Sequence, residues 1–363
     1  MKKPEKIQLK YLVVALAVCL LGISISLLTS RIEESRYAEL QFAAAMRMKN
    51  AEAYLKEVIL DLGIAIEPED LNQTGLLGPE FTELTSTPGS VDAKRTSLNP
   101  NFAAAMIRYF KEAGLKSGDT VAIGSSGSFP GLLIAAVTAA TEMNLNTRVI
   151  ASCGSSMHGA TRPGFCIFDV LKHLKEGGFA DFELLAVSPG GANDQGGSVL
   201  EDILYFGTKE LAFELCERTG VEILDYDDIA KNIQRRLELY GDDIGLFINI
   251  GGASPNCGTS SYTLNFPQGL VLDPPPIPTT PYRGLSYEFA ARGIPVLNLL
   301  NVRLLAQENG IAYDPIPMEE PGAGGAYTVV EYNQGIVVAT IGICVAVLIL
   351  GGAAVRSKRK KYE

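Results

Sequence analysis

Two stretches without a single charge bracket this chain. Tyr11–Ser30 (YLVVALAVCLLGISISLLTS) and Gly335–Val355 (GIVVATIGICVAVLILGGAAV) each supply the apolar run of about 20 residues that a helix needs to cross a bilayer. A cleaved signal peptide is the competing reading of the first. It is long, however, and no A-x-A-like site precedes Arg31, which favours an uncleaved anchor. Lys2, Lys3, Lys6 and Lys10 precede the first span; Arg356, Lys358, Arg359, Lys360 and Lys361 follow the second. Positive flanks stay in the cytoplasm, so both termini are expected there and residues 31–334 on the other side. Gly22 with Ser26, and Gly342 with Ala346, form small-xxx-small pairs that suit close helix packing, or are ordinary small residues of membrane helices.

Charge is distributed unevenly. The chain holds 31 basic and 41 acidic residues; the two tails take nine of the former and two of the latter, a net of +7. The remaining 22 basic and 39 acidic residues give −17. Such a surface repels nucleic acid and anionic lipid, and a polyanionic ligand needs a local basic pocket. Cys153, Cys166, Cys216 and Cys257 lie between the spans, where an exported domain permits disulfides. Three complete pairings are open to four cysteines, and a body of this size needs none of them.

The order of segments reads as a cytoplasmic tail (1–10), a span (11–30), a helical stalk (31–71), an extracytoplasmic α/β domain ending in a tether (72–334), a second span (335–355) and a basic cytoplasmic tail (356–363). The stalk, rich in Ala, Leu, Met, Glu and Lys, is expected to continue out of the first span. Asn72–Pro100 lacks a period and reads as a long loop. Apolar strands are expected at Thr120–Gly124, Thr147–Ser152, Glu183–Ser188, Val221–Leu224, Gly245–Ile250 and Ile294–Leu299. Helices are expected at Asn101–Ala113, Gly131–Met143, Phe168–Lys175, Lys209–Arg218 and Ile229–Tyr240. Short apolar strands alternating with helices predict a mostly parallel, doubly wound (Rossmann-like) α/β fold. Val271–Arg283, with its five prolines, reads as a rigid connector.

The strand ends share a chemistry. VAIGSSGS and VIASCGSS end in Gly-Ser-Ser; LAVSPGGAND and FINIGGASPN end in Gly-Gly-Ala. In an open α/β sheet the carboxyl ends of the strands form the binding crevice. Ser125, Ser126, Gly127, Ser128, Gly251 and Gly252 are therefore candidate ligand-binding residues, as backbone N–H groups and small side chains that let an anion approach. Ser128 as a plain cap of the following helix is the structural alternative. Lys94 and Arg95, with Thr96 and Asn99 beside them, offer a carboxylate clamp; an exposed Lys-Arg pair without a role is the alternative. Asn99 also reads as an N-cap, with Pro100 at the first helical position.

Catalysis has a narrower footing. Gly124–Ser128 lacks the G-x-S-x-G spacing of a nucleophile elbow. On paper, Ser126 or Ser128 with His158 as base and Asp194 as its orienting partner still forms a hydrolytic set. Asp225, Asp227 and Asp228 read as helix-start acids, and no metal is expected. Neither a dinucleotide fingerprint nor a P-loop occurs here, so no cofactor is expected.

The stretch TGLLGPEFTELTSTPGSVDAKRTSLNPNFAAAMIRYFKEAGLKSGDTVAIGSSGSFPGLLIA resembles the poly-gamma-glutamate system proteins of bacteria. GSxxAKRTSxNPxFA at Gly89–Ala103, GSSGSFP at 124–130 and NIGGA at 249–253 carry the resemblance, together with the paired anchors. It covers most of the region between the spans. Pro88 and Gly131 stand where larger residues would be expected. The resemblance implies an accessory protein of poly-γ-glutamate capsule synthesis or export at the cell surface, with the synthase's membrane subunits as partners and the anionic polymer as ligand. It carries over no catalytic residues. An exported hydrolase or transferase using the Ser/His set, and an assembly protein working through its spans, are the alternatives.

Overall fold

The computed structural model describes residues 9–198 and 208–360, with side chains described as far as residue 353. Lys2, Lys3 and Lys6 of the expected N-terminal tail, and Lys361 of the C-terminal one, lie outside the described residues. The chain divides into two compact units, Met1–Ser35 with Thr328–Glu363, and Arg36–Tyr327.

The first unit pairs the two apolar helices, Leu9–Leu28 and Gln334–Lys360. Both are long and apolar enough to cross a membrane. They touch where small residues allow it. Gly22 is buried against Thr340, leaving no space for a Cβ, and Gly351 lies against the Tyr11 ring. A Cβ at Gly342 would meet nothing within 4 Å, so this glycine plays no part in the pair. The first helix does not run on as a stalk. It stops at Leu28, and Arg31–Glu34 forms a strand antiparallel to Thr328–Glu331.

The second unit is an α/β body. In chain order its main elements are α1 (Ala38–Asp61), α2 (Val91–Ser97), α3 (Asn101–Glu112), β1 (Thr120–Ser126), α4 (Pro130–Glu142) and β2 (Asn146–Ser152). These are followed by α5 (Ile167–Glu176), β3 (Glu183–Ser188), α6 (Thr208–Glu217), β4 (Glu222–Ile223), α7 (Ile229–Tyr240) and β5 (Ile244–Ile250). The body closes with β6 (Gly269–Val271), α8 (Gly284–Ala291), β7 (Val296–Leu299) and α9 (Val302–Glu308). Among the described residues seven strands form one sheet in the order β4-β3-β2-β1-β5-β7-β6, parallel except for β6. That edge strand falls mostly before the expected proline connector. Three residues are too few to show a period.

Both faces of the sheet are covered, which is why its strands are continuous apolar runs. Val121, Ile123, Val149, Ala151, Ile248 and Ile250 point into one core with α1, α3, α4 and α5. Their alternates Ala122, Ile150 and Phe247 point into a second core with α7 and α8. The Phe247 and Phe289 rings stack there at 4.6 Å.

The expected stalk helix is α1, and it is core. Ala44, Met48, Ala51, Leu55 and Ile59 recur at three- and four-residue spacing and are fully buried. Gln41 donates to the carbonyls of Ala104 (3.2 Å) and Ala326 (2.7 Å). The expected tether is likewise part of the body as far as Tyr327, whose hydroxyl donates to Asn101 Oδ1 at 2.6 Å. The expected loop at 72–100 contains α2, whose amino end Ser90 caps by accepting from Ala93 N. A larger residue does not fit at 131. A Cβ on Gly131 would lie 2.6 Å from Ser97 C. Replacing Gly131 by Val is therefore expected to destabilise the body by about 1–3 kcal/mol through overpacking. Thermal melting of the detergent-solubilised chain checks this, and an unchanged midpoint contradicts it.

Candidate functional site

The order of the strands reverses between β1 and β5. The chain leaves β1 towards β2 on one side and leaves β5 towards β7 on the other, which opens a crevice at the carboxyl edge. A cavity of 680 Å³ lies there. Its walls come from the strand-end turns (Ser126, Ser128, Ser152, Gly154, Gly190, Gly252), from residues 86–90, 93 and 94, and from Leu300–Arg303 with Tyr313. Ser126 of β1 pairs in register with Ser152 of β2, and Ser152 with Ser188 of β3, so the turns emerge at one level. Glycine is required where they meet. A Cβ on Gly154 would lie 2.6 Å from Gly191 N, and Gly251, at φ 79°, has the Ser126 hydroxyl against it.

Lys94 projects from α2 into this crevice and is 2% exposed. Its Nζ lies 2.6 Å from Ser156 Oγ, donates to the Ser128 carbonyl, and stands 3.8 Å from the centroid of the Phe129 ring. Among the described residues no carboxylate pairs with it. Burial lowers its pKa from 10.5 to about 7. Arg303, at the rim, stacks on Tyr313 at 3.8 Å and lies 3.4 Å from Asp92 Oδ2. Among the described residues, no Asp or Glu lines the cavity. Within a chain of net −10, this is a cationic pocket.

The other candidate residues divide. Ser126, Ser128 and Gly252 line the crevice with Lys94. Arg95 does not join them. Consecutive residues of a helix point about 100° apart, and Arg95 turns to Asp314, holding it bidentately at 2.7 and 2.6 Å. That pairing raises the already high pKa of Arg95. Thr96 is buried, with its hydroxyl donating to Asp92 O (2.6 Å) and accepting from Asp314 N (2.9 Å). Asn99 is also structural. Its Oδ1 accepts from Asn101 N at the start of α3, and its Nδ2 donates to Glu319 Oε2. Ser125 is fully buried on β1, and Gly127 bonds Gly154 O through its N–H; neither lines the cavity. Gly251 sits behind it, its N–H on Leu299 O.

Ser128 does not cap α4, whose first turn has no side-chain cap. Its hydroxyl accepts from Ser156 N at 3.1 Å instead. Asp228, by contrast, caps α7 through Ala230 N.

The proposed Ser/His/Asp set does not assemble. Asp194 is buried and saturated by Ser188 Oγ (2.8 Å), Ser152 Oγ (3.2 Å), Asn232 Nδ2 (3.0 Å) and Arg236 Nη2 (2.7 Å). Arg236 is fully buried too, so the carboxylate is committed to neutralising it. His158, at φ 60°, is not among the lining residues, and its buried Nδ1 has no partner among the described residues. The cysteines are free thiols. Contact with Cys166, and then burial, push the Cys153 thiol up, and burial raises Cys216.

Ser156 and Arg303 were not singled out from sequence. Ser156 stands in one of the Gly-Ser-Ser echoes. Arg303 had one readable signal, a cation in the first turn of a helix, where the dipole disfavours it. Compared with known families and with curated proteins, the chain matches no family model and no curated sequence.

Lys94 gives a pH-dependent stability. In the unfolded chain the amine keeps its proton up to about pH 10.5; in the fold it loses it near 7. Between those values the unfolded chain binds more protons, so stability rises with pH, by at most about 1.4 kcal/mol per unit, and the cost of burying the ammonium is fully present below 7. Denaturant unfolding of wild type and Lys94→Met from pH 6 to 9 is expected to show a stability gap that closes with pH. A gap constant with pH contradicts it.

Proposed function

We propose that this chain is a membrane-anchored accessory protein of poly-γ-glutamate capsule synthesis or export, whose α/β body binds the anionic polymer in the crevice. The observation that carries the reading is a pocket holding a buried lysine and a rim arginine with no carboxylate in its lining among the described residues, in an otherwise acidic chain. A γ-linked glutamate chain presents one carboxylate per residue, which suits cations set in a field that repels less specific polyanions. The motifs GSxxAKRTSxNPxFA and GSSGSFP support the family resemblance. Of the two motifs, Gly89, Ser90, Lys94, Ser126, Ser128 and Phe129 line the crevice, which supports a common role.

Several finer features belong to the same reading. The reversal of strand order and the helices on both faces support a doubly wound, Rossmann-like fold. The apolar helices at both ends support a two-pass anchor, and the basic flanks favour cytoplasmic termini with the body outside. The synthase's membrane subunits are then the natural partners, and Gly342, unused in the helix pair, offers them a close-packing position. Nucleic acid is disfavoured by charge.

The test is binding of fluorescent oligo-γ-glutamate to the full chain in detergent. Saturable, salt-sensitive binding is expected, weakened about tenfold or more by Lys94→Met or Arg303→Ala, as for loss of a charge-assisted contact. Exposed Lys116→Ala serves as the control. Because the Lys94 ammonium is lost as pH rises through about 7, wild-type affinity is expected to fall between pH 6 and 8. Absent binding, or binding indifferent to both pocket substitutions, contradicts the reading.

A further inference from the structure

We infer that the crevice is also a catalytic centre for acyl transfer to water, with Ser156 as nucleophile and Lys94 as its general base. The geometry is that of a serine–lysine pair. Lys94 Nζ lies 2.6 Å from Ser156 Oγ, and both groups face a 680 Å³ cavity while being almost wholly buried. Lysine serves as the base of a serine nucleophile when it is held neutral.

Three features suit Lys94 to the role of base. No carboxylate pairs with Lys94 among the described residues, and burial brings its pKa to about 7, so an appreciable share is free amine at neutral pH. The amine has two N–H groups and one lone pair. Donating one N–H to the Ser128 carbonyl leaves the lone pair for the Ser156 hydroxyl. The face of Phe129, 3.8 Å away, stabilises the ammonium formed when the proton arrives.

The nucleophile is also positioned. Ser156 N donates to Ser128 Oγ, fixing the backbone that carries it. Gly89 keeps the hydroxyl accessible. A Cβ there would lie 3.2 Å from Ser156 Oγ and 3.3 Å from Lys94 Cε, so any side chain at 89 would crowd both groups.

The reaction balances as follows. Ser156 Oγ attacks the acyl carbon while its proton passes to Lys94 Nζ. The tetrahedral adduct collapses, the C–N bond breaks, and Lys94 returns the proton to the leaving amine. Water then attacks the seryl ester, giving its proton to Lys94, which hands it to Ser156 Oγ as the acid leaves. The net change is amide plus water to acid plus amine. The substrate class, a γ-glutamyl amide, rests on the polymer-binding reading. Arg303, at the rim, can hold a neighbouring carboxylate while Lys94 is an amine.

The test treats the full chain in detergent with an alkyl fluorophosphonate, which needs no polymer. Attack by Ser156 Oγ breaks the P–F bond, and peptide mapping by mass spectrometry locates the adduct. Labelling is expected at Ser156, rising with pH through about 7, abolished in Ser156→Ala and reduced on the order of a hundredfold or more in Lys94→Met. Circular dichroism confirms that both variants are folded. No adduct at Ser156, or one formed at a rate indifferent to Lys94 and to pH across 7, overturns the dyad. Oligo-γ-glutamate binding and chain length are measured on the same samples. Binding without Ser156 labelling overturns the dyad and leaves the binding reading standing. Labelling without polymer binding supports the dyad and removes the γ-glutamyl polymer as its substrate.

Discussion

The parallel pairing of β1 with β5 at the centre of the sheet is the constraint on which the site depends. Ser125 of β1 pairs with Ile250 of β5, so the two strands end together. Their continuations then diverge to opposite sides. Among the described residues no element of regular length fills the gap, and turns small enough to stack backbone on backbone close it, as Gly154 does on Gly190 and Gly191. A floor built this way is rich in hydroxyls and poor in bulk. It leaves a cavity into which one side chain of α2 can reach.

That side chain is costly. A buried ammonium without a counter-ion loses several kcal/mol of hydration, or loses its proton instead. The buried Asp194–Arg236 pair shows the usual remedy, each charge offsetting the other among Ser152, Ser188 and Asn232. Lys94 has no such counter-charge among the described residues. A satisfied alternative was one position away, since Arg95 on the next residue finds Asp314. An unpaired cation inside a cavity is what a site for an anionic or reacting ligand requires, and packing alone gives no reason for it.

Much of the architecture was legible in the sequence because its signals are local. Strands buried on both faces read as continuous apolar runs, and five helices between them fall within one or two residues of where their periodicity places them. What escaped depended on tertiary partners. The apolar stripe on Ala44, Met48 and Leu55 is compatible with a stalk until something is known to cover it. Val91–Ser97 is too short and polar to show a period, and Gly269–Val271 is a strand only because β7 lies beside it. In the site, the glycine-serine turns identified the region, but the choice between Lys94 and Arg95 needed the direction of one short helix. Asp194 looked available to a histidine because nothing in the sequence reveals that Arg236, forty-two residues on, already holds it.

The central claim is that Lys94 is a buried amine poised near neutrality and kept for a ligand. Carbon-13 NMR of ε-labelled lysines in the full chain tests it most directly. One resonance is expected to titrate near pH 7, to vanish in Lys94→Met, and to shift to higher pKa when oligo-γ-glutamate is added. If every lysine titrates above pH 10, the amine is hydrated or already paired, and the account of this crevice is wrong.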